Sequence, residues 1–328
     1  MRAVVVREHG GPEVLRLGEI PLRSMSPKDV HIRIAYAGVN FLDLHHRSGV
    51  YARPLPFVPG REGAGTVIAC GSEVTDLRPG DRVAFAMHDD GAYGEEAVVP
   101  SSKVARVPDD VHLSTAAAVM LQGLTALSLA VEEAAIGPGR TALVHSAAGG
   151  TGSLLVQVAR HAGARVLALA SSAEKAAAAV RVGADAASTY PEGGFAAWVR
   201  DQTGGHGVDV VFDAVGGPTL HDDLDSLAAR GRLVVYGRSG GPFTPLDVAR
   251  LADGCLTITY ARLSYYTSDT AAFRAKAADL FDLVSRGAVA PVDLRILPLS
   301  AAATAHSALA GRTSMGKHVL DTTGEADR

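Results

Sequence analysis

The sequence predicts an α/β protein in two parts: a small, mostly β domain and a parallel sheet covered by helices. Three observations predict it. The first hundred residues read as short strands cut by Gly and Pro. After about residue 115, apolar strands alternate with helices. One of those strands runs into a glycine-rich turn that opens a helix. Such alternation means βαβ units and a sheet buried on both faces.

In the opening part, strands are expected at Arg2–Val6, Val14–Ile20, Val30–Ala37, Gly65–Ala69, Arg82–Ala86 and Tyr93–Val99. Ser26-Pro27, Pro79-Gly80-Asp81 and Asp89-Asp90-Gly91 supply the turns between them. One short helix is expected at about Phe41–Arg47. In the second part, strands at Thr141–His145, Arg165–Ala170, Val208–Phe212 and Leu233–Tyr236 alternate with helices. Those helices are expected at Gly150–Ala162, Ala173–Val182 and Leu220–Ala229. After residue 262 come a helix near Ala271–Ser285, a strand Leu294–Leu297, a helix Ala301–Ala310 and a strand His318–Leu320. Residues 323–328 read as a polar tail.

The 328 residues suffice for two modest domains. Charges of 31 basic and 35 acidic side chains leave a net −4, so nucleic acid and anionic membranes find no general attraction. Two cysteines, Cys70 and Cys255, rule out a disulfide framework and suit a reducing, cytoplasmic setting. Leu113–Val131 carries no charge and approaches membrane-span length. Its interspersed Ser, Thr, Gln and Gly, and Glu132-Glu133 at its end, favour a buried helix or helix pair.

Strand Thr141–His145 leads into Ser146-Ala147-Ala148-Gly149-Gly150-Thr151-Gly152 and a helix. This is G-x-G-x-x-G with Ala147 in the first glycine position. Gly149 lets the backbone approach a pyrophosphate, Gly152 lets helix and strand pack closely, and the helix N-terminus offers N–H groups to phosphate. A glycine-rich structural turn is the bland alternative. The next strand ends at Ser171, where NAD-preferring folds usually carry an acid. Ser171-x-x-Glu174 reads as a capping box, which leaves Lys175 to meet the 2′-phosphate of NADP.

Gly38-Val39-Asn40-Phe41-Leu42-Asp43, Arg47-Ser48-Gly49-Val50-Tyr51, Pro59-Gly60-Arg61-Glu62-Gly63-Ala64-Gly65 and Ala147–Gly152 together resemble the NADPH:quinone oxidoreductases, the zinc-free branch of the medium-chain dehydrogenase/reductases. The resemblance covers nearly the whole chain. It implies a GroES-like, mostly β catalytic domain at 1–120, a Rossmann NADPH-binding domain at 121–262, and a return to the catalytic domain at 263–328. It implies an active site in the cleft between them and a cytoplasmic homodimer.

Carried over by position, Asn40 contacts the nicotinamide end of the cofactor. Thr125, Gly149, Gly150 and Thr151 line the dinucleotide, and Lys175 and Tyr190 surround the adenosine phosphate. Tyr236, Gly237 and Ser239 lie along the cofactor, and Arg312 reaches it from the terminal segment. His45 departs from the Tyr frequent in bacterial relatives. Zinc-containing relatives place Cys where Asn40 stands and His where Arg61 stands, and residues 87–103 hold no cysteine for a structural zinc loop. No metal is therefore expected.

Hydride delivery to a quinone, or to the β-carbon of an enone, builds charge on a carbonyl oxygen that needs a donor. Asn40, Tyr51 and His45 are the candidates, and Tyr51 is the preferred proton donor for an alkene. Enoyl-thioester reduction within the same superfamily is the alternative. Two rival classes are weaker. Gly237-Arg238-Ser239-Gly240-Gly241 satisfies G-x-S-x-G, but Gly241-Pro242 follows where a nucleophile elbow needs a helix. A crystallin-like or RNA-binding protein would not require the cofactor motif, and the charge balance disfavours RNA. The β-branched segment Leu256–Tyr260 is expected to be a sheet edge that pairs with a second copy.

Overall fold

The structure, a computed structural model, describes residues 1–324. The chain begins with β1 (Arg2–Val5), β2 (Arg16–Glu19), β3 (Asp29–Gly38), α1 (Phe41–Ser48), β4 (Glu62–Cys70), β5 (Arg82–Ala86), β6 (Glu96–Pro100), β7 (Val104–Arg106) and α2 (Leu113–Leu127). It continues through β8 (Thr141–Val144), α3 (Gly150–His161), β9 (Arg165–Ala170), α4 (Ala173–Arg181), β10 (Ala186–Thr189), α5 (Ala196–Gln202), β11 (Val208–Asp213), α6 (Leu220–Ser226), β12 (Leu227–Val235), β13 (Thr257–Tyr260) and α7 (Leu263–Tyr266). It closes with α8 (Thr270–Ser285), β14 (Arg295–Pro298), α9 (Ala302–Ala310) and β15 (His318–Asp321). Two compact units result. One holds Met1–Leu124 and the chain from Tyr266 onward, the other Thr125–Tyr265.

The first unit is built on a sheet of order β14-β15-β3-β4-β5-β7, with β6 also pairing β3 and a separate β1-β2 pair. Ile32, Ile34, Phe85, Val99 and Tyr93 fill its core. Strand β3 delivers the chain to α1 across Val39-Asn40. The Asp43 carboxylate accepts from the Asn40 N–H at 2.8 Å and fixes that helix start. Gly49, at φ +81°, stops α1 in the left-handed conformation that a side chain resists.

The second unit is a six-stranded parallel sheet of order β10-β9-β8-β11-β12-β13. Counted from β8, that is the doubly wound order whose direction reverses between β8 and β11, where such sheets bind ligands. Leu143, Val144, Leu167, Leu169, Val211 and Phe212 are fully buried, as strands covered on both faces require. Across Leu113–Glu133, the most apolar window is 72% buried, so this stretch is an internal helix.

Several element boundaries differ from expectation. Leu220–Ala229 does not stay helical: α6 ends at Ser226, and Leu227 opens β12 by pairing with Val208. Ala228 and Ala229 prefer helix locally, but the ladder overrides that preference. Arg230, at φ +62°, and Gly231 lie within the register irregularity of that ladder. Val14–Ile20 divides into a 3₁₀ turn, Pro12–Val14, and β2. Tyr93 precedes β6, and its N–H bonds Pro59 O rather than a strand partner. β7, β10 and α5 had no counterpart in the sequence reading. The expected polar tail extends into residues 325–328, outside the described residues.

Candidate active site

The glycine motif forms the connection from β8 to α3, on one side of the reversal point. Ser146 turns the chain at φ +50°. A Cβ on Gly152 would lie 2.3 Å from Ser146 O, so only glycine allows this approach of helix to strand. A Cβ on Gly149 would meet, among the described residues beyond its chain neighbours, only Ser146 O at 3.1 Å, which leaves this backbone approachable. No side chain caps α3, so its first-turn N–H groups suit an anion.

The other predicted cofactor residues fall at strand ends of this unit. Ser171 directly follows β9, but the cap of α4 is Ser172, whose Oγ accepts from Lys175 N at 3.3 Å. The expected Ser171–Glu174 capping box is therefore corrected: the helix starts one residue later, which puts Lys175 at the third helical position. Tyr236 follows β12, and its buried hydroxyl has no hydrogen-bond partner among the described residues. Burial drives its pKa upward, so it is a neutral donor. An orphaned hydroxyl at the carboxyl end of a strand in the same parallel sheet, with β11 between it and the strand that feeds the Gly149–Gly152 cradle, fits a polar dinucleotide. Gly237 and Ser239 follow, and Ser239 Oγ donates to Ala214 O at 3.0 Å. The segment after Ser239 is a turn, so no nucleophile elbow exists.

One group here was not read from the sequence. His145 and Asp223 are fully buried, with Nε2 2.8 Å from Oδ1. His145 Nδ1 lies 3.1 Å from the Tyr190 hydroxyl, which also accepts from Ser146 N at 3.4 Å. Tyr190, expected at the adenosine phosphate, thus has its hydroxyl engaged beneath the first residue of the phosphate loop. Burial disfavours a charged imidazole, but Asp223 and Asp213 outweigh it and hold His145 above its ordinary pKa. His145, Asp213 and Asp223 offer ligand atoms within 4.8 Å of one another. Asp213 already accepts from Val215 N, Gly216 N and the Thr219 hydroxyl, so the group reads as a buried ion pair.

Asn40 sits in the first unit, in a buried polar network. Its Nδ2 donates to Glu62 Oε1 at 2.7 Å. Its Oδ1 accepts from Lys317 Nζ at 2.9 Å and from Gln122 Nε2 at 3.0 Å. Lys317 also pairs with Glu62 Oε1 at 2.6 Å, and Glu62 Oε2 accepts from Leu121 N at 2.5 Å. Lys317 is 2% exposed and Glu62 not at all, so each charge depends on the other. Below Asn40, Asp43 Oδ2 takes the Tyr93 hydroxyl at 3.2 Å, and Tyr93 lies 3.1 Å from His306 Nε2. Burial raises Asp43 to a pKa of about 7, against the pull of the Asn40 N–H and Lys317.

His45 and Tyr51 are together: their rings meet edge-on at 5.2 Å, and Tyr51 N donates to His45 O at 3.1 Å. Tyr51 is 37% exposed. Neighbouring His46 is lowered to about 4 by burial and by Arg61 and Arg53, so it is neutral. Arg61 pairs with Asp89. An amide bonded to an ammonium and a guanidinium bonded to a carboxylate are poor zinc donors. Thr125 falls within α2, and Arg312 is exposed after α9, at φ +54°.

Known proteins share both parts of this chain. Residues 26–109 match the alcohol dehydrogenase GroES-like domain, and residues 150–282 match the domain described as zinc-binding dehydrogenase. A quinone oxidoreductase of Pseudomonas aeruginosa is 39% identical, over 95% of this chain and 97% of its own length. A 2-haloacrylate reductase of a Burkholderia species is 38% identical, over 97% and 98%. The crystal structure of Escherichia coli quinone oxidoreductase complexed with NADPH superposes with a TM-score of 0.93 at 33% identity, covering 98% of this chain and all of that one. With both domains matched and relatives of this identity along nearly its full length, the chain belongs to the quinone oxidoreductase family of medium-chain dehydrogenase/reductases.

Proposed function

We propose that this chain is an NADPH-dependent oxidoreductase that reduces a quinone or an electron-poor alkene without a metal ion. The observation that carries the reading is the Gly149–Gly152 cradle at the reversal point of a doubly wound sheet. Relatives that reduce quinones and a haloacrylate supply the acceptor class, since both acceptors conjugate a carbon–carbon double bond with a carbonyl.

NADPH, when bound, supplies the hydride. The Gly150 and Thr151 N–H groups would hold the pyrophosphate, with Ala147, Gly149 and Gly152 shaping the loop; the Gly149 N–H itself donates to Ser146 O. Ser171 leaves room at the ribose, and Lys175 would supply positive charge for the 2′-phosphate. Thr125, Tyr190, Tyr236, Gly237 and Ser239 line the dinucleotide. Asn40 donates an amide hydrogen to the acceptor oxygen as charge builds there. Tyr51, edge-on to His45, supplies the proton that an alkene requires at carbon. Asn40 and Arg61 offer no ligand set for zinc.

The reading also includes a cytoplasmic homodimer. β13 is a sheet edge with Tyr260 48% exposed, and an edge of this kind invites pairing. A light-scattering mass of one chain at micromolar concentration contradicts the dimer.

The test is loss of NADPH absorbance against a panel of quinones, enones and enoyl thioesters. Turnover of quinones or enones is expected. Turnover of enoyl thioesters alone moves the protein to the enoyl-reductase alternative, and no turnover with any acceptor defeats the proposal.

A further inference from the structure

Asn40 cannot be placed in two ways. A lysine ammonium only donates, so the atom facing Lys317 must be the amide oxygen. That oxygen accepts from both Lys317 and Gln122, which uses its two lone pairs. The nitrogen gives one hydrogen to Glu62 and has a second. Pulling electron density toward the oxygen makes that second N–H a stronger donor, and the low-dielectric surroundings of Lys317 and Glu62 magnify the effect.

The backbone is shaped to aim Lys317. Gly316 has φ +65°, and a Cβ there would lie 1.7 Å from Val292 O. Lys317 O accepts from Arg295 N, Lys317 N donates to Val292 O, and His318 O accepts from Val39 N. The lysine is therefore gripped on both sides, next to the strand-to-helix turn that carries Asn40.

We propose that Lys317 is a positioning residue for the hydride-accepting step: it locks the Asn40 amide and polarises the N–H offered to the acceptor's carbonyl oxygen. In that step the C–H bond of the reduced nicotinamide would break and its electron pair form the new C–H bond on the acceptor, leaving the nicotinamide oxidised; the C=C or quinone π electrons move to oxygen, and solvent or Tyr51 later supplies the proton. Lys317 keeps its own proton throughout. The proposal rests on the reductase reading, and the test separates the two.

Lys317→Met alone strands the Glu62 charge and threatens folding. The companion variant is Lys317→Met with Glu62→Gln, which removes both charges together. With NADPH binding retained, kcat is expected to fall about tenfold or more with an enone and less with a quinone, which needs less help at oxygen. A merely structural lysine would cost both acceptors equally. In cofactor-free protein, the side-chain amide signal of Asn40, assigned by its loss in Asn40→Ala, is expected to exchange with solvent slowly in the wild type and faster in the double variant. Wild-type kcat on the enone, equal losses on both acceptors, or unchanged amide exchange overturns the role of Lys317. Wild-type protein inactive on every acceptor overturns the reductase reading first.

Discussion

The phosphate loop and the Asn40 network are built by opposite means. The loop is backbone: its function lies in N–H groups and in the room that Gly149 and Gly152 leave. The network is side chain: a carboxylate, an ammonium and two amides from positions 40, 62, 122 and 317, all buried except the half-buried Gln122. A backbone site tolerates change outside its glycines but none within them. A charge network tolerates conservative changes of shape but not the loss of one partner.

The largest expected effect falls on the loop. Gly152→Val sets a side chain against Ser146 O where even a Cβ is too close, and overpacking of this kind costs roughly 1–3 kcal/mol or more. NADPH binding measured by calorimetry should be lost while a large part of the fold survives thermal melting. Tight NADPH binding by this variant would show that the cradle is not where the cofactor sits.

The network should report itself through pH. Asp43 has its pKa raised from the ordinary 3.8 to about 7, so the folded state favours its protonated form. Its stabilising contribution is full below the unfolded pKa and is lost as pH rises through about 7. Buried His306, lowered to about 3, and His88, lowered to about 4, act oppositely: their contribution is present above the unfolded value and lost as pH falls through those values. Asp43→Asn should flatten the decline in stability between about pH 4 and 7, a decline on the order of a few kcal/mol in the wild type. A decline as steep as in the wild type assigns it to other groups.

The smallest effect is on cofactor choice. Lys175 lies in the first turn of α4, just past the end of β9. Lys175→Ala should lower kcat/KM for NADPH about tenfold, roughly 1.4 kcal/mol, and leave NADH unaffected. An unchanged preference would move 2′-phosphate recognition away from this residue.

The same contrast explains what the sequence made legible. Arg82–Ala86 and Arg165–Ala170 have the boundaries expected of them, because each is an apolar or alternating run between turn residues. The loop was legible because glycine spacing is itself the site. β10 and α5, each short and built from weakly patterned residues, gave no periodic signal. Ser172 rather than Ser171 caps α4, a one-residue ambiguity that two adjacent serines cannot resolve locally. Asn40 and Glu62 stood out in motifs, but Gln122 and Lys317 did not, since each enters the network alone from a distant part of the chain. Lys317, set between a glycine and the apolar run of β15, was the one available hint of a buried charge. His145 and Asp223 escaped for the same reason, and Tyr190 was expected at the adenosine phosphate rather than against His145: only the fold brings the three together.

The central claim is that this chain's own side chains serve hydride transfer without a metal. The most direct test strips the protein with a strong chelator, confirms by elemental analysis that zinc is absent, and measures NADPH-driven turnover of a simple quinone. The account predicts the same kcat as untreated protein. Activity that disappears on stripping and returns with zinc would contradict it.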